Sequence, residues 1–179
     1  MTIQRRRPFG QNYAFVVVAV VFLSLLASAG MRATPGVLML PLGAAFGWSR
    51  DSISSAAAVG ILLYGLMGPF AAALMQRFGI RRVLLVALSV MTLAAASSAL
   101  MSQPWQLVAT WGVLSGAGTG CVAVVMGATV VGRWFSSHRG LMMGLLTAST
   151  ATGTLIFLPG LAAIAEYFGW QAVVLTIAA

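Results

Sequence analysis

The fold is decided by the stretch Gln76-Arg77-Phe78-Gly79-Ile80-Arg81-Arg82, which separates two long runs of residues without charge. The run before it, Ile53 to Met75, has 23 residues, and the run after it, Val83 to Met101, has 19. A helix that crosses a membrane needs about 20 apolar residues, so each run is long enough. Three arginines between two such runs cannot lie in hydrocarbon without a large cost. The stretch therefore predicts a short loop held at one face of a membrane.

The composition of the whole chain agrees with this interpretation. Of its 179 residues, 60% are hydrophobic and only 7% are charged, with a mean hydropathy of +1.00. Soluble domains carry roughly 25% charged residues, and a chain with so few cannot cover a surface that faces water. We predict an all-α integral membrane protein that lies in a lipid bilayer.

The net charge of +8 comes from ten arginines against two acids. In a soluble protein such a balance would suggest nucleic acid, but here the arginines lie mainly in the breaks between apolar runs. Orientation in the membrane explains them better, so we expect no nucleic-acid partner.

The residues that usually carry catalysis are nearly absent. One cysteine, Cys121, and one histidine, His138, exclude an intramolecular disulfide and a histidine cluster. Two acids on different segments assemble no familiar active site, and no nucleotide-binding P-loop motif occurs. We expect no enzyme activity, catalytic residue, metal site or cofactor.

Five charge-poor runs are long enough to span a membrane, and a sixth begins near Gln171 and stops at Ala179. Nine residues cover less than half a bilayer at about 1.5 Å each, so we expect the chain to end inside its sixth span, as a part of something longer. The five complete runs are Tyr13–Gly47, Ile53–Met75, Val83–Met101, Trp105–Gly132 and Gly140–Ala165.

The arginines also predict the orientation of the spans. Eight of the ten precede the first span or follow the second and fourth, which places them on one face. The positive-inside rule puts that face, with the N-terminus, in the cytoplasm, and we expect the membrane to be a bacterial cytoplasmic membrane. Four of the five tryptophans lie near span ends, as interfacial anchors do: Trp48, Trp105, Trp134 and Trp170.

The first run has an alternative interpretation as a signal peptide. Arg5-Arg6-Arg7 precede it, and Ala27-Ser28-Ala29 resembles a cleavage site. The apolar run continues past that site to Gly47, which favours an uncleaved first span.

The chain partly matches itself when it is shifted by 90 residues. Pro69 falls on Pro159, and Phe78-Gly79 falls on Phe168-Gly169. Three spans separate the copies, so the second copy crosses the membrane upside down. Two inverted repeats of three helices are a transporter architecture. We divide the chain into a cytoplasmic N-terminus (1–12), a first repeat (13–101) and a second repeat (102–179) that stops in the sixth span.

Small residues recur every four positions on two of the predicted helices, where they let helix backbones approach closely. Such faces either hold the bundle together or slide during transport. They are Gly112, Gly116 and Gly120 on the fourth span, and Gly140, Gly144 and Ala148 on the fifth.

At this point the chain resembles the major facilitator superfamily, whose loop between spans two and three reads roughly G-x3-D-R-x-G-x-R-R. Arg77, Gly79, Arg81 and Arg82 match this pattern, whereas the leading glycine is Ala72 and the aspartate is Gln76. The resemblance implies that the loop latches one conformation through a charge contact, which Gln76 cannot form. The family's arginine on the fourth span is also missing, because its position falls near Gly112.

A narrower resemblance, to monocarboxylate-porter-like members, lies in two other segments. They are Phe46-Gly47-Trp48-Ser49-Arg50, and Arg133-Trp134-Phe135-Ser136-Ser137-His138-Arg139-Gly140 with the glycines and Pro159 that follow. The resemblance covers only the family's N-terminal half. It implies a six-span half that works with a C-terminal six-span half absent from this chain.

Arg32 is the candidate for binding substrate, because it is the one ionisable residue well inside a long apolar run. Its side chain either reaches the outer headgroups or faces a central cavity, where it would pair with a substrate carboxylate. The resembled porters carry a cation in the outer part of the first span, which favours the second interpretation. Tyr64 is a tentative second binding residue.

The other polar groups have plainer interpretations. Arg133, His138 and Arg139 form a cytoplasmic cluster that suits lipid headgroups, and His138 as a proton site is the alternative. The hydroxyl side chains within the spans either line a cavity or bond to their own helix backbone; they include Ser115, Thr119, Thr150 and Thr154.

The predicted function is secondary transport of a small organic anion, such as a monocarboxylate, by alternating access. One alternative is a drug or neutral-solute transporter of the same superfamily. Another is a six-span membrane protein or fragment that does not transport.

Overall fold

The computed structural model describes residues 11–135 and 138–178, and throughout these residues the regular structure is helical. Three long helices come first: α1 (Gln11–Phe46), α2 (Arg50–Phe78) and α3 (Ile80–Ser98). Four shorter pieces follow: α4 (Pro104–Leu107), a π-helical segment (Val108–Leu114), α5 (Ser115–Cys121) and α6 (Val124–Trp134). The last two helices are α7 (Arg139–Phe168) and α8 (Trp170–Ala178).

Five helices are long and apolar enough to cross a membrane, and they coincide with the five predicted spans. The fourth is the composite Pro104–Trp134, which we call the fourth span.

Side chains cap the starts of two of the helices, α2 and α4. The Ser49 hydroxyl accepts a hydrogen bond from Ser52 N at 3.3 Å, so Ser49 caps α2 as its sequence position suggests. The Gln106 Oε1 accepts from Gln103 N at 3.0 Å and closes the first turn of α4.

The predicted loop between α2 and α3 is shorter than the sequence pattern indicates. Both helices continue into the Gln76–Arg82 stretch, and only Gly79 separates them. Gly79 has φ 85° and ψ 152°, a region that is essentially restricted to glycine. The predicted short loop is thus a turn of one residue, and the arginines beside it lie on helix ends. Arg77 lies in the last turn of α2, and Arg81 and Arg82 lie in the first turn of α3.

The same Phe-Gly ending closes three of the long helices. Gly47, Gly79 and Gly169 follow the last residues of α1, α2 and α7, with φ values of 67°, 85° and 81°. In each case the glycine N–H donates to the carbonyl four residues earlier, at 3.0 to 3.1 Å. Positive φ lets the chain leave the helix within one residue, so the connections between the spans are short.

The helices pack in two main pairs, α1 against α7 and α2 against the fourth span. The predicted glycine face of the fourth span forms the second contact. A Cβ built at Gly116 would lie 2.7 Å from the carbonyl oxygen of Gly60, and one at Gly120 would lie 3.0 Å from that of Tyr64. Backbones can approach this closely only because the side chains are absent, which confirms the prediction for this face.

The glycine face predicted on the fifth span makes no such contact. A Cβ at Gly140 or Gly144 would meet nothing within 4 Å among the described residues, and Ala148 is exposed, so the predicted close packing does not occur there within the described part of the chain. The helix α7 uses Gly153 instead, where a Cβ would lie 2.8 Å from the carbonyl oxygen of Leu26. The contact with α1 therefore lies further along the helix than the repeated glycines indicate.

Aromatic rings join helix ends at both ends of α1. The ring of Phe46 stacks on Trp48 with centroids 4.7 Å apart and meets the edge of Trp170 at 5.5 Å. At the other end, Phe15 and Phe135 meet edge to face at 6.1 Å. These contacts place the start of α1 beside the end of α6, and the end of α1 beside the starts of α2 and α8.

Candidate solute-binding cavity

A cavity of about 230 Å³ lies between α1, α2 and the fourth span. Most of its lining is apolar or glycine, but five side chains bring polar groups to it: Arg32, Tyr64, Trp111, Ser115 and Thr119. Apolar walls with a few convergent polar groups are the usual composition of a ligand site. This cavity is therefore the candidate site.

Arg32 and Tyr64, the two residues proposed from the sequence, meet in this cavity. The guanidinium carbon of Arg32 lies 4.6 Å from the centroid of the Tyr64 ring. A cation over an aromatic face within about 6 Å is attracted by it, with an energy of about 0.5–2 kcal/mol that grows as water is removed. The ring therefore holds the guanidinium without neutralising its charge.

No carboxylate neutralises Arg32 within the described part of the chain. The two acids, Asp51 and Glu166, lie in the first turn of α2 and near the end of α7, and both are exposed. Arg32 also lies far from the end of α1, because the helix continues beyond it for 14 residues to Phe46, a rise of about 21 Å. The arginine is thus a positive charge well within a helix long enough to span a membrane.

Several hydroxyl side chains within the spans bond to their own helix backbone. The Thr119 hydroxyl donates to the carbonyl oxygen of Ser115 at 2.7 Å, so its proton is committed to the helix backbone. Thr150 and Thr154 of α7 bond to their own helix in the same way. The plainer interpretation of the hydroxyl groups is confirmed for these three residues.

Trp111 is the residue of the cavity that sequence reasoning did not single out. It is 2% exposed, and its indole Nε1 has no hydrogen-bond partner among the described residues. A buried donor without a partner costs about 1–3 kcal/mol. One signal could have found it: the other four tryptophans lie near span ends, whereas Trp111 lies inside the fourth run.

Trp111 lies at the centre of the π-helical segment. The N–H of Ser115, just after this segment, points to the carbonyl of Thr110, five residues earlier. Such wider turns inside α-helices are rare and occur frequently at functional sites. The segment therefore marks this part of the fourth span as specialised.

A second cavity, of about 500 Å³, lies between α2, α3 and α5. Its lining is almost entirely apolar, and its charged residue is Arg82, in the first turn of α3. It offers no cluster of polar groups to orient a solute. We therefore assign the candidate site to the smaller cavity.

The arginine-rich residues named from the sequence lie at helix ends, away from the candidate cavity. The guanidinium carbon of Arg77 lies 5.4 Å from the centroid of the Phe78 ring, and Gln76 is exposed. At the next connection on this face, the Arg139 Nε donates to the Phe135 carbonyl oxygen at 2.7 Å.

The other residues of the predicted cytoplasmic cluster also lie at helix ends. His138 precedes α7 with φ 59°, and Arg133 lies in the last turn of α6, where a cation complements the helix dipole. None of the residues that the structure describes forms a group of three or more side chains able to hold a metal ion.

Comparison with known proteins places the chain among transporters. The family model described as Major Facilitator Superfamily matches residues 20–179. The chain is 31% identical over 135 residues to an uncharacterized MFS-type transporter, YcxA, of Bacillus subtilis (strain 168), covering 74% of this chain and 33% of that protein. It is 28% identical over 180 residues to monocarboxylate transporter 11 of Homo sapiens, covering 100% of this chain and 38% of that protein. With monocarboxylate transporter 14 of Mus musculus it shares 29% identity over 162 residues, or 89% of this chain and 31% of that protein. The chain thus spans about a third of the length of the relatives it matches.

Proposed function

The chain belongs to the major facilitator superfamily. From this premise we propose that it is the N-terminal half of a secondary transporter for a small organic anion, namely a monocarboxylate. The observation that carries the proposal is Arg32, whose guanidinium lies over Tyr64 in the cavity without a carboxylate partner in the described chain. A charge in such a place is a functional hypothesis by default. An anionic solute would supply the missing partner.

The depth of Arg32 supports this role over contact with lipid headgroups. The aromatic group of Phe46, Trp48 and Trp170 suits an interface with the outer headgroups. Arg32 lies about 21 Å along α1 from Phe46, which exceeds the reach of an arginine side chain.

The charge in the cavity supports an anionic cargo. Arg32 lines the cavity beside Tyr64, among walls that are otherwise mostly apolar or glycine. A guanidinium binds a carboxylate through two parallel hydrogen bonds, and two of the relatives are named monocarboxylate transporters. Together these observations favour a short monocarboxylate as the transported anion.

Two equivalent helix contacts support the inverted repeat. A Cβ at Gly30 of α1 would lie 2.8 Å from the Phe157 ring of α7, and a Cβ at Gly120 of α5 would lie 2.7 Å from the Met67 Cβ of α2. The 90-residue shift places Gly30 on Gly120 and Met67 on Phe157. Exchanging the two repeats therefore maps one contact onto the other, as an inverted pair of three-helix units requires.

The exposed faces of two helices support a second half as partner. The spans α2 and α7 have the smallest buried shares of the five. On α7, the face with Gly140 and Gly144 has no neighbour among the described residues. The relatives are about three times as long as the matched segment. A C-terminal six-span half packed against these faces would complete the cavity around Arg32.

The residues at the arginine-rich connections have a conformational role in this proposal. Gln76, Arg77, Gly79, Arg81 and Arg82 form the hinge between α2 and α3, at the cytoplasmic face of a bacterial membrane. Arg133, His138 and Arg139 hold the same face at the next connection. Since Gln76 carries no charge, the hinge latches by hydrogen bonds and not by an ion pair.

The test is uptake of labelled short monocarboxylates by the natural protein in proteoliposomes, comparing the wild type with Arg32→Ala. Removing one partner of a buried charge pair costs about 2 kcal/mol or more, so we expect the apparent affinity to fall at least about thirtyfold. Arg32→Lys keeps the charge but loses the forked arrangement of N–H donors. We expect its apparent affinity for the anion to lie between those of the wild type and Arg32→Ala.

The matched control is Arg50→Ala, an exposed arginine at the start of α2, for which we expect unchanged uptake. Equal anion uptake by the wild type and Arg32→Ala would contradict the assignment of Arg32. Uptake of a neutral solute or drug without any anion uptake would favour the alternative cargo. A well-folded protein that moves none of these solutes would contradict transport itself.

A further inference from the structure

The buried indole of Trp111 adds a second donor to the candidate site. Trp111 lines the same cavity as Arg32 and Tyr64, is 98% buried and has no hydrogen-bond partner for its Nε1 among the described residues. An indole N–H can only donate. The wall of the cavity therefore contains a buried donor whose acceptor is not among the described residues.

The backbone holds Trp111 firmly against α2. A Cβ at Gly60 would lie 3.2 Å from the carbonyl oxygen of Trp111, and Tyr64 is one helical turn further along α2. Trp111 also lies within the π-helical segment, a kind of wider turn that is frequent at functional sites. Its side chain lines the cavity.

We propose that Trp111 Nε1–H donates a hydrogen bond to the same carboxylate that Arg32 binds. This inference rests on the proposed function, and it deepens it by assigning a specificity-determining residue. A carboxylate has two oxygens that accept about four hydrogen bonds and no donor. Arg32 and Trp111 both offer donors alone, and the Thr119 hydroxyl proton is already committed to the Ser115 carbonyl.

The chemical consequence is selectivity for solutes that present only acceptors. A primary amide of the same shape as a short carboxylate would lack the charge and would turn an N–H₂ group toward at least one of these donors. The site therefore distinguishes a carboxylate from its amide twice, by charge at Arg32 and by hydrogen-bond direction at Trp111.

The test measures binding of radiolabelled propionate to the purified natural protein, with propionamide as the uncharged competitor. Trp111→Phe keeps an aromatic ring and removes the N–H. Since hydrogen bonds to charged acceptors are about twice as strong as neutral ones, we expect the Kd for propionate to rise about tenfold or more, which is about 1.4 kcal/mol. Trp105→Phe, at an exposed tryptophan near the start of the fourth span, is the control and should leave the Kd unchanged.

A spectroscopic measurement separates a binding role from a structural one. In the wild-type protein labelled with ¹⁵N-tryptophan, we expect the indole N–H resonance of Trp111 to move on addition of propionate and to stay in place with propionamide. The resonance is assigned by its loss in Trp111→Phe or, if that variant does not fold, in Trp111→Tyr.

The outcomes distinguish this inference from the proposal on which it rests. If propionate binds the wild type and Arg32→Ala abolishes binding, but Trp111→Phe keeps the wild-type Kd and the indole resonance does not move, the role of Trp111 is refuted while the Arg32 site stands. If the folded wild type binds no propionate, the carboxylate site itself is refuted, and the role of Trp111 with it.

Discussion

The contact between α2 and α5 at Gly116 allows a sharp prediction about stability. In Gly116→Ala, the new Cβ would lie 2.7 Å from the carbonyl oxygen, 2.9 Å from the Cα and 3.2 Å from the carbonyl carbon of Gly60. All three atoms belong to the backbone, so no side-chain rotation can relieve the overlap. An ordinary contact begins at 3.4 Å, and the two helices must therefore separate by about 0.7 Å.

The expected cost follows from two opposing effects. Overpacking a well-filled contact costs about 1–3 kcal/mol, whereas replacing a helical glycine by alanine gains about 0.5–1 kcal/mol. Gly65→Ala isolates the second effect, because Gly65 lies within α2 and a Cβ there would meet nothing within 4 Å. The difference in free energy of unfolding between the two variants should therefore be about 1–3 kcal/mol.

The assay is thermal unfolding of the purified protein in detergent, followed with a thiol-reactive dye that reports the exposure of the buried Cys121. For a chain of this size, 1 kcal/mol corresponds to about 2–4 °C in Tm. We expect the Tm of Gly116→Ala to lie at least about 2–4 °C below that of Gly65→Ala. Equal Tm values for the two variants would refute the close backbone approach at this crossing.

Three further predictions concern other parts of the chain. Gly79→Ala should destabilise the protein by about 1–3 kcal/mol, because φ is 85° there; an unchanged Tm would show that the turn relaxes easily. Gly30→Ala should lower the Tm, since its Cβ would lie 2.8 Å from the Phe157 ring, and Phe157→Leu should restore it; failure of this rescue would contradict the contact. In a Cys121→Ser background, Arg81→Cys should react with a membrane-impermeant maleimide only from the cytoplasmic side; labelling from outside would reverse the predicted orientation.

Much of the fold could be predicted because hydrocarbon imposes simple rules on a sequence. The five long spans and the glycine face of the fourth span follow from the lengths of uncharged runs and from local spacing. The glycine face of α7 shows the limit of such spacing. It has the same spacing of small residues as the fourth span, yet Gly140 and Gly144 contact no helix among the described residues. Such spacing shows that another helix can approach closely, but it does not show which helix does so.

The candidate site was predictable only in part. Arg32 could be named from sequence because a charge in an apolar run is expensive wherever the helix packs. Its contact with Tyr64 depends on how α1 and α2 cross, and the unpaired N–H of Trp111 depends on every atom around the indole. Burial and missing partners are properties of the packed molecule, so no local pattern contains them.

The stretch from Gln76 to Arg82 shows which features follow from the sequence and which depend on the tertiary structure. By itself, the sequence determined that the chain turns there at a membrane face, because three arginines cannot remain in hydrocarbon. The tertiary structure decided that the turn is a single glycine with the arginines on helix ends, and that Arg32, Tyr64 and Trp111 meet in one cavity. The physical reason is range: the cost of burying a charge acts on each residue alone, whereas a cavity exists only where several helices pack together.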